Sequence, residues 1–433
     1  SNNFFSIKKY NSLSGSHLND STHLNYYPKE KFLDQFGGIG FRMRQSLFIP
    51  LPGLNISKYP YAITSRLNSN IDVGLSNGMI QFLFSGNPVE ENIDLHIEEV
   101  FYLIQEMGFS YGYSFKGFSA GFTIKYLLGL FYMGIETLPN SSLTTDLVNG
   151  FHGNAQYIIR QDVGGDGFGL DVGIITDEFE DNLRFGISII NLLGRINWSH
   201  NSFIRDQFEP TLSEMDYYFR PNEYMYINLV VDSIAASTFN EDSSDPFVYY
   251  EMYKVFPLET IDQLQISSED SALVVQLSDG SYLFPSEGEY RLVDLYNSEE
   301  DTSNIVDNYT QYVQGTPNLL TTRQPMYIRM GISKRWEDQA VLAVDIVTGF
   351  SNRLTSSSTW RLSMGVEITR FENKYLRFGY AIGGIAGKSL SLGYGVKMGK
   401  LDFDLGLSLN GGLSLSSIKG IDLAAGFNWD ISI

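Results

Sequence analysis

A chain of 433 residues with a net charge of −20, no cysteine, 14% aromatic and 18% charged residues is long enough for one large domain or roughly two or three ordinary ones. The charge argues against nucleic acid as a partner, which needs clustered Lys and Arg, and the missing thiols exclude disulfides, thiolate metal sites and cysteine nucleophiles. No apolar run is long enough for a transmembrane helix, so a membrane location would require a closed β-barrel, the other structure that satisfies its backbone inside lipid.

The chain opens on Ser1, as a mature exported product would, and export is an inference rather than a leader read directly. Residues 1–37 are polar and rich in Asn and Ser; they are expected to form a periplasmic arm or a plug in the lumen. The first half of the barrel is expected over 38–233, beginning with a strand at 38–52. Residues 53–97 read as a long outer loop or an inserted element, in which Pro88, Glu90 and Glu91 suit the first turn of a short helix. Strands are then expected at 98–115, 116–138, 142–163, 166–177, 182–199 and 217–233. Phe109, Tyr111 and Tyr113 share one face, Phe122, Ile124 and Tyr126 another, with Lys125 and, further on, Asp171 opposed to apolar neighbours. Residues 234–325 are an acidic excursion with 16 Asp and Glu against 3 Lys and Arg. It carries a hairpin signal, Asp279-Gly280 between Ala272–Leu277 and Ser281–Phe284, and is expected to form an extracellular cap.

From 326 to 433 the alternation becomes sharp. Strands are expected at 326–336, 339–350, 358–371, 374–384, 387–399, 400–413 and 418–433. Trp360, Leu362, Met364, Val366 and Ile368 oppose Arg361, Ser363, Gly365, Glu367 and Thr369, and Leu401, Phe403, Leu405 and Leu407 oppose Asp402, Asp404, Gly406 and Ser408. A soluble antiparallel sheet is the rival reading. Segments of about 10 to 15 residues exceed the usual soluble strand of roughly 5 to 6 and match what a bilayer demands. A face of Gly, Ser and isolated charges suits a lumen. The fold class is therefore all-β: a transmembrane antiparallel barrel of about fourteen strands, oily side chains outward.

Connection lengths support this topology. If the first strand runs outward, the even-numbered connections face the periplasm and should be short. They are short at Phe115–Lys116, Val163–Asp166, Trp336–Gln339, Phe371–Lys374 and Gly399–Lys400, with 200–216 the exception, while the odd-numbered ones include 53–97 and 234–325. The implied location is a bacterial outer membrane, C-terminus periplasmic.

Several segments resemble a known superfamily. Arg323-Gln324-Pro325-Met326-Tyr327-Ile328-Arg329-Met330-Gly331, followed by Leu342-Ala343-Val344-Asp345, is similar to a strand pair of PorV-like and FadL-like barrels. Tyr375-Leu376-Arg377-Phe378-Gly379-Tyr380 with Ser391-Leu392-Gly393-Tyr394-Gly395 resembles their following hairpin, and Gly167-Phe168-Gly169-Leu170-Asp171-Val172-Gly173 with Ile196-Asn197-Trp198 their front-half strands. The resemblance covers roughly residues 100–200 and 320–433. It implies a fourteen-strand barrel with an N-terminal hatch. It further implies either passage of fatty acids or other hydrophobic compounds, or, as in PorV-type relatives, docking of proteins secreted by the type IX pathway. The acidic 234–325 insertion departs from the compact members.

Signals of catalysis are poor, and no enzyme activity, cofactor or metal is expected. His17, His23, His96, His152 and His200 lack metal-ligand spacing. Gly165-Asp166-Gly167-Phe168-Gly169 has phosphate-loop spacing but leads into a strand, so it reads as a glycine-rich turn. Glu241-Asp242 and Glu299-Glu300-Asp301 read as solvated charge runs rather than calcium ligands. The lumen-facing polar set is Arg329, Asp345, Arg361, Glu367, Arg377, Lys397, Asp402, Asp404, Asp422 and Asp430, either a bracing network that anchors a plug or a polar pore lining. Trp198, Trp336, Trp360 and Trp429 are expected in interfacial girdles. The leading functional expectation is a barrel that passes a hydrophobic ligand or docks a secreted or surface protein. A structural anchor of an envelope or filament assembly is the alternative, and a lipid-modifying enzyme a distant third. Expected partners are the lipid bilayer, a hydrophobic ligand or lipid in the lumen, and a protein at 53–97 and 234–325.

Overall fold

Alternation over ten or more positions gives strands that can cross a bilayer with one oily and one polar face. A computed structural model describes the chain except residues 15, 19–20, 86–91, 140, 147–149, 180–181, 199–223, 233–246, 257–274, 277–281, 286–319, 337–338, 352–353, 355–356, 413 and 432–433. In chain order, α1 (Ile7–Leu13) and α2 (Lys29–Leu33) precede β1 (Phe41–Pro50), β2 (Ile56–Lys58) and β3 (Tyr61–Leu75). Then follow α3 (Asn77–Ser85), β4 (Asn92–Asp94), β5 (Ile97–Phe115), β6 (Phe118–Thr137), β7 (Ser142–Asp146), β8 (Gly150–Thr176), β9 (Leu183–Ile190) and β10 (Arg195–Asn197). The acidic excursion and its approach hold β11 (Tyr224–Asp232), β12 (Phe247–Phe256), β13 (Val275–Gln276) and β14 (Tyr282–Pro285). The chain finishes with β15 (Thr321–Arg323), β16 (Tyr327–Trp336), β17 (Ala340–Gly349), β18 (Arg361–Phe371), β19 (Lys374–Gly383), β20 (Lys388–Met398), β21 (Leu401–Asn410) and β22 (Gly420–Trp429).

Thirteen of these form one antiparallel wall in the order β1-β3-β5-β6-β8-β9-β16-β17-β18-β19-β20-β21-β22. The wall curls until Ser1–Asn3 lies between β1 and the start of β22. Asn3 N–H donates to the Arg42 carbonyl on one side, and Asn2 N–H to the Lys419 carbonyl on the other. The oily face points outward: Leu392 is 47%, Leu405 48% and Phe427 68% exposed. The charged and small residues that alternate with them face the lumen.

The short connections, Lys116–Gly117, Glu372–Asn373 and Gly399–Lys400, all fall at one end, with the C-terminus. The opposite end carries the long excursions and the N-terminal arm. We call these the turn end and the loop end. Three sequence expectations change. β3 lies within 53–97, which had read as an outer loop or an inserted element; Ser65 and Ser69 break the outward apolar series Ile63, Leu67, Ile71 and Val73, opposite the lumenal Asn68, Asn70 and Asp72. The expected strands 142–163 and 166–177 are one strand, β8, because Gly164 takes a positive φ of 79° without reversing the chain. With β3 inserted, β1 runs toward the turn end rather than outward.

β11 pairs with the loop-end half of β8, His152–Asp232 to Arg160–Tyr224, and carries β12, β14 and β13 as an extension above the wall. Val275–Gln276 pairs with Tyr282–Leu283, the hairpin expected around Asp279-Gly280. The carboxylates at 241–242 and 299–301 lie outside the described residues, as does His200.

The arm packs on the loop-end rim, where Phe4, Phe32 and Phe36 bury against Ile80 of α3. The Phe4 and Phe36 rings stack at 3.9 Å, and Lys8 N–H donates to the Ser416 carbonyl in the loop before β22. Lys9 and Lys419 are held below the ordinary lysine value of 10.5, by burial and, for Lys9, also by the charge of Lys419. A folded-state lysine value below the unfolded one means that docking gains stability as pH rises through the lowered values, up to 10.5. We expect a spin-label distance between α1 and residue 415 to report a larger docked fraction at pH 10 than at pH 7.5. The Lys419→Met variant should flatten that response.

Candidate functional site

The lumen is read most easily along β5, whose even residues face inward from Glu98 near the loop end to Gly112 near the turn end. Nearest the loop end lies an ion cluster. Arg42 donates to both carboxylate oxygens of Asp72 at 2.8 and 2.6 Å, Arg44 Nε lies 3.2 Å from the same carboxylate, and Arg42 reaches Glu98 at 3.3 Å. Asp72 is 1% exposed and accepts a further bond from the Leu354 N–H, in the loop after β17. Two cations against two carboxylates leave this cluster formally neutral, as burial requires.

Next comes an apolar plug. Tyr102 and Ile104 of β5, Leu127 of β6, Ile196 and Trp198 at β10, and Leu320 bury one another, with Val100, Tyr132 and Leu354 around them. Trp198 lies across a shelf made by two glycines. A Cβ at Gly129 would sit 2.6 Å from its ring and one at Gly165 3.0 Å. Its indole N–H donates to Thr322 Oγ1 at 2.9 Å. The wall can bring this ring in because β5 and β6 shift register between Leu103 and Ile104, and because a short run, 191–194, interrupts β9 before β10. Trp198 had been expected in a lipid interface; at 1% exposure it is instead the centre of the plug. Trp336 and Trp429, at the turn end, and Trp360, at the loop end, are exposed on the rims.

Below the plug a second charge row crosses four strands. Arg66 reaches Glu106 at 2.8 Å. Lys125 lies 2.6 Å from Asp171, 3.6 Å from Glu106 and 2.9 Å from Asn191 Oδ1. These residues escaped the sequence reading as a set, although Lys125 and Asp171 stood out singly. Only strand register shows that they share a level.

The expected lumenal set lies on the other half of the wall. Arg329 pairs with Asp345 at 2.7 Å. Arg377 bridges Glu367 at 2.6 Å and Asp404, crossing β20 where Gly393 and Gly395 leave room. Arg361 donates to Ser389 at 3.5 Å, and the chain continues from Ser389 to Asn410 and from Asn410 to Asp422, each at 2.7 Å. Lys397 and Asp402 are ladder partners near the turn end. Asp430 lies past the end of β22, exposed, its N–H donating to the Lys400 carbonyl, so it is not a lumenal residue.

Two open volumes flank the plug. On the loop-end side a cavity of about 960 Å³ is walled by Val100, Tyr102, Tyr132, Leu320, Phe350 and Leu354, with Glu136, Arg160, Arg195 and Arg323 as its charged lining. Toward the turn end a volume of about 550 Å³ is lined by Gly112, Gly121, Gly173, Gly186 and Gly331 beside Arg329 and Asp345. Among the described residues no group of three or more His, Cys, Asp or Glu is placed to hold a metal ion. The first cavity has the character of a site for an apolar body with a polar end.

No family model matches the chain, and no curated protein matches it. Among solved structures it is similar to the Pseudomonas putida toluene transporter TodX, at 9% identity over 85% of this chain and 81% of that one, with a TM-score of 0.35. It is similar to the CymD monoaromatic hydrocarbon channel at 10% identity, over 85% and 83% of the two chains, TM-score 0.33. A Pseudomonas aeruginosa FadL homologue aligns at 10% identity over 85% and 74%, TM-score 0.34. The likeness is one of strand architecture.

Proposed function

We propose that this protein is an outer-membrane barrel that binds a hydrophobic ligand in the cavity above Trp198 and passes it through the lumen. The observation that carries this reading is the cavity itself: aromatic and aliphatic side chains inside a barrel whose other lumenal surface is largely charged, neutral polar or glycine. Its volume is at the upper end of the roughly 300 to 1,000 Å³ typical of ligand sites. Arg160, Arg195 and Arg323 outnumber Glu136 in its lining, which favours a ligand with an anionic or acceptor-bearing end. Short turns mark the periplasmic side in barrels of this kind, so the turn end and the C-terminus are assigned to the periplasm, and the arm and cavity to the cell surface.

The test is to fill the cavity. Val100→Trp adds an indole to its wall without touching an ion pair. In the purified protein we expect saturable binding of a fluorescent fatty acid such as a dansyl-labelled undecanoate, weakened at least tenfold by Val100→Trp. Equal binding by the two proteins would remove the cavity as the site.

A further inference from the structure

The charge in the loop-end cavity is gathered on one rung of a ladder. Arg195 and Arg323 are directly opposite in the β10–β15 pair. Gln324 N–H donates to the Gly194 carbonyl at 2.9 Å, and Trp198 N–H to the Leu320 carbonyl at 3.0 Å. Hydrogen-bonded rungs therefore fall at Gly194/Gln324 and Trp198/Leu320 and, by alternation, at Ile196/Thr322. Arg195/Arg323 is a non-hydrogen-bonded rung between them. That is the closer type, with Cα atoms about 4.5 Å apart and both side chains on one face. The other face of β10 carries Ile196 into the plug.

Like charges directly opposite destabilise a ladder. The lumenal arginines Arg42, Arg66, Arg329 and Arg377 each have a carboxylate, from Asp72, Glu106, Asp345 and Glu367 in turn. Arg195 has instead the Thr321 hydroxyl, at 3.3 Å. Among the described residues no carboxylate pairs with Arg195 or Arg323. Both are exposed and both line the cavity that Val100, Tyr132, Phe350 and Leu354 wall. Three arginines against the one Glu136 leave that lining with a charge of +2. A fatty-acid carboxylate supplies one negative charge and two oxygens. A phosphomonoester supplies nearly two charges at neutral pH and three acceptor oxygens. Both guanidinium forks can then bind bidentately, with one oxygen shared.

We propose that the Arg195/Arg323 rung binds the head of a phosphomonoester amphiphile, a phosphorylated single-chain lipid whose chain lies along Val100, Tyr132 and Phe350. The proposal rests on the cavity being the ligand site and narrows its ligand to one with a dianionic head.

The test is competition in the purified full chain. Dodecyl phosphate, dodecanoate and inorganic phosphate are each titrated against the bound dansyl-labelled undecanoate. At pH 7.5 dodecyl phosphate should bind at least tenfold more tightly than dodecanoate. That preference should shrink toward pH 5, because the second ionisation of a phosphomonoester lies near about pH 6. In R195Q/R323Q the preference should vanish, whereas R195K/R323K, charged but without the planar fork, should keep part of it. The urea midpoint of R195Q/R323Q should be no lower than the parent's, since the substitutions remove a repulsion. The pH profile of the parent tests the same claim without any substitution. Inorganic phosphate at the same concentrations should displace nothing.

Equal affinity for the two amphiphiles, or a preference that survives in R195Q/R323Q, would overturn the phosphate assignment. If V100W still blocks the dansyl probe in that case, the cavity stands as the site and only the head group is wrong. Displacement by inorganic phosphate as strong as by dodecyl phosphate would make the rung a free-anion site and overturn the amphiphile. If V100W leaves all binding unchanged, the cavity reading falls and this proposal falls with it.

Discussion

Replacing Trp198 with Ala should turn an occluded lumen into a conducting one. The indole occupies the shelf over Gly129 and Gly165 and is the largest buried side chain of the plug, so its removal takes away the largest part of the barrier between the loop-end cavity and the glycine-lined turn end. In planar bilayers we expect the wild-type protein to be nearly silent and Trp198→Ala to give a stable, voltage-independent ionic conductance. Truncating a buried Trp also costs about 3–5 kcal/mol of stability, visible as a lower midpoint in urea. The two readouts separate cause from collapse. Trp198→Phe should keep much of the packing and stay closed while losing the hydrogen bond to Thr322. A Trp198→Ala barrel that is folded yet silent would place the occlusion elsewhere, in the ion cluster around Asp72.

The second large effect is expected at Lys125. It is 2% exposed and sits between Asp171 and Glu106. Lys125→Met keeps the length of the side chain and removes the charge, leaving Asp171 without its cation while Glu106 keeps Arg66. Breaking a buried pair in this way costs about 3–5 kcal/mol. Removing Asp171 as well, in Lys125→Met/Asp171→Asn, should recover part of the loss, because one uncompensated charge disappears. Urea unfolding of the three proteins in detergent measures this directly. A single variant as stable as the parent would mean that water in the lumen already screens the row.

The back half of the wall was legible in the sequence because each strand there has lipid on one side and a charge-lined lumen on the other, so the binary pattern is sharp from Met326 to Trp429. The front half obeys the same rule less strictly. β3 turns Asn68, Asn70 and Asp72 inward, and Ser65 and Ser69 interrupt the outward series Tyr61, Ile63, Leu67, Ile71 and Val73. The plug inverts the rule: Tyr102, Ile104, Leu127 and Trp198 are apolar and face inward, so their pattern is indistinguishable from lipid-facing positions one residue out of phase. The signal that could have exposed it lay on neighbouring strands. Gly129 and Gly165, opposite one another in the ladder, leave a gap that only a large flat side chain fills. No local feature announces that Leu354 reaches Asp72, or that Arg66, Glu106, Lys125 and Asp171 form one row, since those relations exist only through register.

The contact between Asp72 and the Leu354 N–H spans 282 residues of sequence. A front fragment made alone would hold that carboxylate against Arg42 and Arg44 while its remaining partner had yet to be synthesised. Contacts of such long range close late, because the chain between them must first be ordered. Assembly therefore has a direction: the wall can zip progressively, strand beside strand, whereas the lumen becomes sealed only when the second half folds back into the first.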